Sequence, residues 1–317
     1  ALVLGTTAYT QSGLVAGDTI IGVTLKHGMD TTVPATQTAG TYTNEIAASA
    51  ATGTGLTNYN ISYVANTLTV NKYAITINAP NVTKDYDGNL TYAVTSTDLS
   101  TLSSGLKNGD TITAATINYT NKNVGSGNKT VTLDAVTVSD GNSGNNYTIT
   151  LAGNSTSTIA RQASVTWVGN TTGDWFNPAN WALTSNSNVT GVIPDLSNVS
   201  AVVIPSGITV TFNDSVAGRT GVAQTGTVNI TTLTGGSLTM SNGALSATSV
   251  NVVNLNTSSG TTLTASTGVT VAPVSGATLA VAGVIAGGSL TNNGAGTITL
   301  TGANTYTGAT NINAGTL

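Results

Sequence analysis

Downstream of Arg219 the sequence contains no Asp, Glu, Lys, Arg or His through to Leu317. The tract is built of Gly, Thr, Asn, Ser, Ala, Val, Leu and Ile in short alternating runs, among them TVNITTL, GGSLTM, GATLAV and GTITLT. A disordered polar tail is normally charged and poor in β-branched residues, the opposite of what stands here. An ordinary globular domain carries about 25% charged residues, against 6% in this 317-residue chain. Uncharged Thr, Asn and Ser suit stacked β-coils, in which each residue lies above its equivalent in the next coil. Like charges stacked in that way repel, whereas Thr and Asn form hydrogen-bonded ladders.

The spacing points the same way. Leu238, Leu263, Leu290 and Leu317 end G-x-L-like motifs that recur at almost even spacing, with echoes at Leu279 and Leu300. Their interval falls in the range of about 20 to 50 that marks a repeat architecture. The sequence therefore predicts a solenoid with Leu238, Leu263 and Leu290 in one internal column. A flat β-sandwich with repetitive turns is the competing reading.

Residues 1 to 161 hold two related units. GLVAGDTI (Gly13 to Ile20) aligns with GLKNGDTI (Gly105 to Ile112), and TNYNISYVANTLTVNK (Thr57 to Lys72) with NNYTITLAGNSTSTIAR (Asn145 to Arg161). Boundaries fall near residues 72 and 161. Thr111 to Tyr119, Lys129 to Val138 and Tyr147 to Leu151 alternate apolar and polar residues, and Gly/Asn clusters punctuate them. Helical periodicity extends no further than one short turn over Leu99 to Leu106. Each unit is expected to be a small β-sandwich-like module, with Asp18 and Asp110 equivalent as turn formers. The first unit lacks a counterpart of YAITINAP, which opens the second at Tyr73. That lack predicts an open sheet edge, filled by a strand from elsewhere: from a preceding segment, or by head-to-tail donation between chains.

All three Trp residues lie in SVTWVGNTTGDWFNPANW, Ser164 to Trp181. Two roles suit Trp167, Trp175 and Trp181. They plug the open end of a solenoid, which needs a cap, or they present rings for carbohydrate stacking.

Catalysis, as by a β-helix polysaccharide-active enzyme, finds little support. His27 is the single His and has no partner pattern. Asp174, Asp195, Asp214 and Arg219 are the charged residues of the region after Arg161. The three acids are almost evenly spaced, so their stacking on successive coils is a weak candidate for an acid or metal site. Asp85, Asp87 and Asn89 in DYDGN echo the start of a calcium loop, but Ser96 stands where the closing Glu is required. Turn formation explains the same residues, so no cofactor is expected. A net charge of −4 without a basic patch argues against nucleic acid. The absence of Cys excludes disulfides and thiolate metal sites. No apolar run is long enough for a transmembrane helix, and the aromatic girdles of a membrane barrel are missing. Asn-x-Ser/Thr sequons, such as those at Asn81 and Asn146, are as frequent as chance supplies in a chain this rich in Asn and Thr. Both ends fall inside repeat-like stretches, so the chain reads as an internal piece of something longer.

Two resemblances sharpen this picture. TITLTGANTYTGATNINAGTL, Thr297 to Leu317, resembles the β-strand repeat of autotransporter passenger domains, with Leu300, Thr301, Gly302, Asn304, Tyr306, Gly308, Gly315 and Leu317 in the matching places. KDYDG at Lys84 to Gly88, Gly109-Asp110, NKNVGSGNKTV at Asn121 to Val131 and NNYT at Asn145 to Thr148 resemble the Tyr-Asp-Gly (MBG-like) modules of bacterial surface adhesins. The Trp-rich segment is similar to the start of many passenger β-helices. These resemblances imply a right-handed parallel β-helix and a secreted or surface-bound adhesin, of a Gram-negative bacterium, that meets a host or bacterial receptor or glycan. The expected fold is all-β: a truncated module over 1–72, a Tyr-Asp-Gly module over 73–161, an aromatic cap over 162–219 and β-helix repeats over 220–317.

Overall fold

The computed structural model describes residues 1–214 and 227–317. The expected junction between residues 219 and 220, with Arg219, lies outside the described residues. The fold is all-β; among the described residues one short helix and two 3-10 turns interrupt the strands. Two compact units emerge. One comprises Ala1–Pro80, Tyr92–Asn118 and Val131–Asn154; the other comprises Asn81–Thr91, Tyr119–Thr130 and Ser155–Leu317.

In the first unit, β1 (Thr19–His27), β2 (Gly40–Thr54) and β3 (Asn66–Val70) form an antiparallel sheet in that order. The second copy of the pattern contributes β4 (Tyr73–Asn78), β5 (Thr83–Asp85), α1 (Ser96–Ser103), β6 (Thr111–Tyr119), β7 (Gly125–Ser139), β8 (Tyr147–Ala152) and β9 (Asn154–Ala160). Strands β6, β7 and β9 lie side by side in the order of β1, β2 and β3, within a five-stranded sheet that β5 extends at one edge. The internal repeat is therefore structural. The structure adds parallel pairing that hairpin reasoning does not anticipate. β4 runs parallel to β8 from Tyr73↔Tyr147 to Asn78↔Ala152, and β5 runs parallel to β9.

The two Gly-Asp turns agree in chemistry as well as in sequence. Asp18 N–H donates to Val15 O at 3.1 Å and Asp110 N–H to Lys107 O at 2.9 Å, around Gly17 and Gly109 at φ 99° and 84°. In each copy a Tyr hydroxyl locks the turn. Tyr59 donates to Asp18 Oδ2 at 2.7 Å and accepts from Val15 N–H at 2.9 Å. Tyr147 donates to Asp110 Oδ2 at 2.6 Å and accepts from Lys107 N–H at 2.9 Å. Tyr147→Phe removes this hydrogen bond at a buried ring and is expected to lower the unfolding free energy by about 1 kcal/mol, measured by urea denaturation. Tyr59→Phe, in the more open copy, is expected to have a smaller effect.

Helix α1 starts at Ser96, ahead of the turn expected from Leu99. The reason is a capping box: Thr95 Oγ1 accepts from Asp98 N–H at 3.2 Å, and Asp98 Oδ2 accepts from Thr95 N–H at 2.9 Å. Leu102 anchors its inner face at 4% exposure.

In the second unit the chain stacks strand on parallel strand. Its elements are β10 (Gln162–Trp167), β11 (Trp181–Leu183), β12 (Val199–Asn213), β13 (Thr232–Asn242), β14 (Ala244–Thr257), β15 (Thr262–Val271), β16 (Thr278–Val281), β17 (Val284–Asn292) and β18 (Thr297–Leu300). The order β10-β12-β13-β14-β15-β17 is parallel at every step, and β18 lies parallel on β16. Apolar side chains align into columns. One contains Val202, Leu233, Val250, Val269 and Leu290. A second contains Val228, Leu245, Leu263 and Ile285. A third contains Val210, Leu238 and Leu255. All twelve are at most 1% exposed, and each is worth about 1.5–3 kcal/mol relative to an exposed position.

This register corrects one expectation. Leu238, Leu263 and Leu290 are all internal, but each stands in a different column. The column through Leu233 steps to Val250, then Val269, then Leu290, and each step is shorter than the interval between successive G-x-L motifs. Those motifs recur at different places along successive layers, because any aliphatic residue fills a column position.

The uncharged surface forms the ladders it was expected to form. Asn254 Nδ2 donates to Ser237 Oγ at 2.9 Å, Asn313 Nδ2 to Asn293 Oδ1 at 2.7 Å, and Thr297 and Thr316 share a hydroxyl contact of 2.7 Å. Glycine marks the tightest corners. At Gly235, with φ 105°, a Cβ would sit 1.9 Å from the carbonyl oxygen of Ile204 in the adjacent strand layer.

Candidate functional site

The Trp-rich segment folds into a closed aromatic cluster in the second unit. Trp181 stands at the start of β11, opposite Trp167 at the end of β10. The rings of Trp167 and Trp181 meet edge to face at 5.1 Å and 89°, and those of Trp175 and Trp181 at 5.2 Å and 66°. Phe212 of β12 lies 5.3 Å from Trp175 and 5.1 Å from Phe176. Each indole N–H is satisfied by a backbone carbonyl: Trp167 by Asn170, Trp175 by Pro194, and Trp181 by Trp175 itself. Gly173 lets the chain pass against Trp167, where a Cβ would lie 3.0 Å from the ring. Trp167, Trp175 and Trp181 are 2%, 0% and 0% exposed. Stacking on a sugar needs an open ring face, and none of the three has one. Carbohydrate stacking through these residues would require the cluster to open.

A buried polar junction adjoins the cluster within the same unit. Tyr86, the Tyr of KDYDG, is 1% exposed and donates its hydroxyl to Asp195 Oδ1 at 3.0 Å. Asp195 also accepts from Asn198 Nδ2 at 2.5 Å, and Lys122 Nζ stands 4.0 Å from its other oxygen. Asn198 donates to Asn123 Oδ1 at 3.0 Å and accepts from Val124 N–H at 2.9 Å. Gln162 Nε2 donates to the Tyr86 carbonyl at 3.1 Å. Burial, followed by the Asp195 carboxylate, pushes the Tyr86 phenol far above its ordinary value, so the hydroxyl remains a donor at physiological pH. The sequence flagged Tyr86 as part of a motif and Asp195 as a loop acid. Nothing local indicated that two residues so far apart in the chain touch.

Among the described residues Asp174, Asp195 and Asp214 are engaged in separate contacts. Asp174 is in register with Thr211 of β12 and caps its own turn by accepting from Phe176 N–H at 3.1 Å. Asp195 is consumed by the Tyr86 junction, and the Asp214 side chain packs against Gly243. The three therefore do not stack on successive coils. In the DYDGN loop, Lys84 Nζ does what a calcium ion would do. It donates to Asp87 Oδ1 at 2.7 Å, Asn89 O at 2.8 Å and Thr91 O at 2.9 Å. Asp87 Oδ1 also accepts from Asn89 N–H at 2.9 Å, while Asp85 points to solvent from β5. A covalently attached cation thus already balances the Asp87 carboxylate. Among the described residues no group of three or more His, Cys, Asp or Glu is placed to hold a metal. His27 lies 3.4 Å from Glu45, a pairing across β1 and β2.

Three family profiles match the chain. An MBG domain of the YGX type matches residues 4–69, a YDG domain residues 70–158, and a passenger-associated transport repeat residues 290–317. These agree with the adhesin-type modules and the passenger repeat read from the sequence. The matched families are structural or adhesin modules, and the passenger repeat indicates a secreted or cell-surface protein. No curated protein and no solved structure matches the chain significantly. No helix among the described residues is long and apolar enough to cross a membrane.

Proposed function

We propose that this chain is a structural and adhesive segment of a large surface protein of a Gram-negative bacterium, without catalytic activity. On this reading residues 1–72 and 73–161 are spacer modules. Residues 162–219 cap the shaft, and 220–317 begin a right-handed parallel β-helix. Residue by residue the support is the in-register parallel stacking from β10 to β17, with aliphatic columns inside and Thr, Ser and Asn ladders outside. Such a stack lengthens by adding coils and has no need of charge to stay in register. The partners would be receptors or glycans on host or bacterial surfaces; the net charge of −4 argues against nucleic acid. Roles in biofilm and fibre formation at the outer membrane belong to the same reading, with head-to-tail strand donation between chains as the alternative to a tandem source for the open edge of the first module.

The test is direct. Beads coated with the folded chain are expected to retain host or bacterial cells above uncoated beads, with retention competed by the free chain. Retention no better than that of uncoated beads would reject the adhesive role and leave a spacer. Two other readings lose ground to specific contacts: a carbohydrate-binding module through Trp167, Trp175 and Trp181 has no open ring, and a polysaccharide-active enzyme has no paired carboxylates among the described residues.

A further inference from the structure

The two tandem modules differ in one respect that their shared chemistry makes legible. In the second copy, β8 carries a parallel partner, β4, over six residue pairs. Tyr73 N–H donates to Asn146 O at 2.8 Å, and Ala79 N–H to Ala152 O at 2.8 Å, closing the two ends of that ladder. The stretch equivalent to β8 in the first copy is Tyr59–Val64, placed by the matched Tyr59 and Tyr147 locks. Among the described residues it has no strand partner. No hydrogen bond from those residues reaches the backbone N–H or C=O groups of Asn60–Val64.

Three side-chain observations agree that the place is built but open. In the second copy, Gly105 lies against β4, where a Cβ would meet Ile75 at 3.0 Å; its equivalent Gly13 faces open space, with nothing within 4 Å. Lys107 covers the ring of Tyr73, the first residue of β4, at 5.2 Å. The equivalent Val15 is 66% exposed with nothing to cover. Tyr147 meets Tyr73 edge to face at 6.2 Å, and its equivalent Tyr59 has no aromatic neighbour among the described residues. Tyr63 and Val64 are 42% and 85% exposed. A backbone stretch with unpaired N–H and C=O groups, flanked by exposed apolar side chains, is a template for a strand.

We propose that this slot takes a β-strand of the β4 type, parallel to Tyr59–Val64, carried by a module of the same kind placed in tandem ahead of the first. The occupant is extended, with a large aromatic or aliphatic residue first and Ile-like residues third and fifth, as Tyr73, Ile75 and Ile77 stand in the filled copy. The tandem source follows from how β4 is delivered: the last strand of the first copy, β3, ends at Val70 and continues through Asn71 and Lys72 directly into β4. The inference rests on the reading of residues 1–161 as tandem modules and not on adhesion, so it survives a failed cell-retention assay.

The probe is the synthetic peptide YAITINAP, added to the intact chain. The expected result is saturable binding with slowed hydrogen exchange at the amides of Asn60–Val64. The chain is expected to be monomeric by sedimentation before addition, with those amides exchanging freely. A peptide with Asp in place of both Ile residues is expected to bind roughly tenfold more weakly or worse, since a buried carboxylate would be unpaired. Unchanged exchange at Asn60–Val64 under saturating peptide would overturn the proposal. A chain that sediments as an oligomer with these amides already protected would overturn the tandem source and assign the slot to a second copy.

Discussion

Trp181→Ala is expected to lower the stability of the second unit by about 3–5 kcal/mol, the range for truncating a fully buried large aromatic side chain. The ring is 0% exposed and sits between Trp167 and Trp175, so its removal strips two edge-to-face contacts at once. It also leaves the carbonyl of Trp175 without the indole donor. The cluster packs onto β12 of the stack, where Phe212 meets Trp175 and Phe176. A chain with two compact units need not unfold in one step. The readout is therefore the urea midpoint of the transition that carries the tryptophan fluorescence change. Trp181→Phe retains part of the contact and is expected to lose roughly half as much. A loss below about 1 kcal/mol for the Ala variant would mean that the ring does not hold the cluster together.

The second large effect lies at the Tyr86 junction. Asp195→Ala leaves the buried Tyr86 hydroxyl without its acceptor and takes one of two acceptors from Asn198 Nδ2, which keeps Asn123 Oδ1. A buried hydroxyl so orphaned costs about 1–3 kcal/mol, and with the bond lost at Asn198 the expected loss is roughly 2–4 kcal/mol in urea. Tyr86→Phe keeps the ring volume and removes a single hydrogen bond, so a loss of about 1–2 kcal/mol is expected. The pair also predicts a pH dependence. The folded pKa of Tyr86 is raised by burial and by Asp195. Its contribution to stability is thus fully present below the unfolded phenol pKa of about 10 and is lost as pH rises beyond it toward the folded value. Wild-type stability is expected to fall above about pH 10, with the Tyr86→Phe variant losing less over the same range. Identical alkaline slopes for the two proteins would show that the phenol is not held neutral by this site.

Asp140 offers an acid counterpart. Burial works against its charged form, but the N–H groups of Asn146, Gly144 and Asn142 outweigh that and hold its pKa below the usual Asp value. Its contribution is present above the unfolded Asp pKa of about 3.9 and disappears as pH falls through the folded value. Asp140→Asn is expected to flatten the acid limb of the stability profile, measured by denaturation between about pH 2 and 5.

The amino-acid sequence alone determined the class of structure and much of its organisation. A charge-free tract of alternating β-branched residues excludes a conventional globular surface. Gly-Asp followed by a strand, and Asn-Tyr before another, repeat because turn chemistry is local and depends on a few adjacent residues. By sequence the three Trp residues between Ser164 and Trp181 suit either a plug or carbohydrate stacking, and the burial of all three rings is a tertiary outcome. Tertiary structure decided what depends on distance along the chain. The step from one layer to the next was hidden because Leu, Val and Ile are interchangeable in an aliphatic column, so a Leu-based count measured the wrong interval. The parallel pairing of β4 with β8 joins the opening of the second module to its far end, and Tyr86 meets Asp195 from a still more distant part of the chain. No local propensity encodes such partners. They are selected by which apolar faces and which buried polar groups can be satisfied together once the whole chain has collapsed.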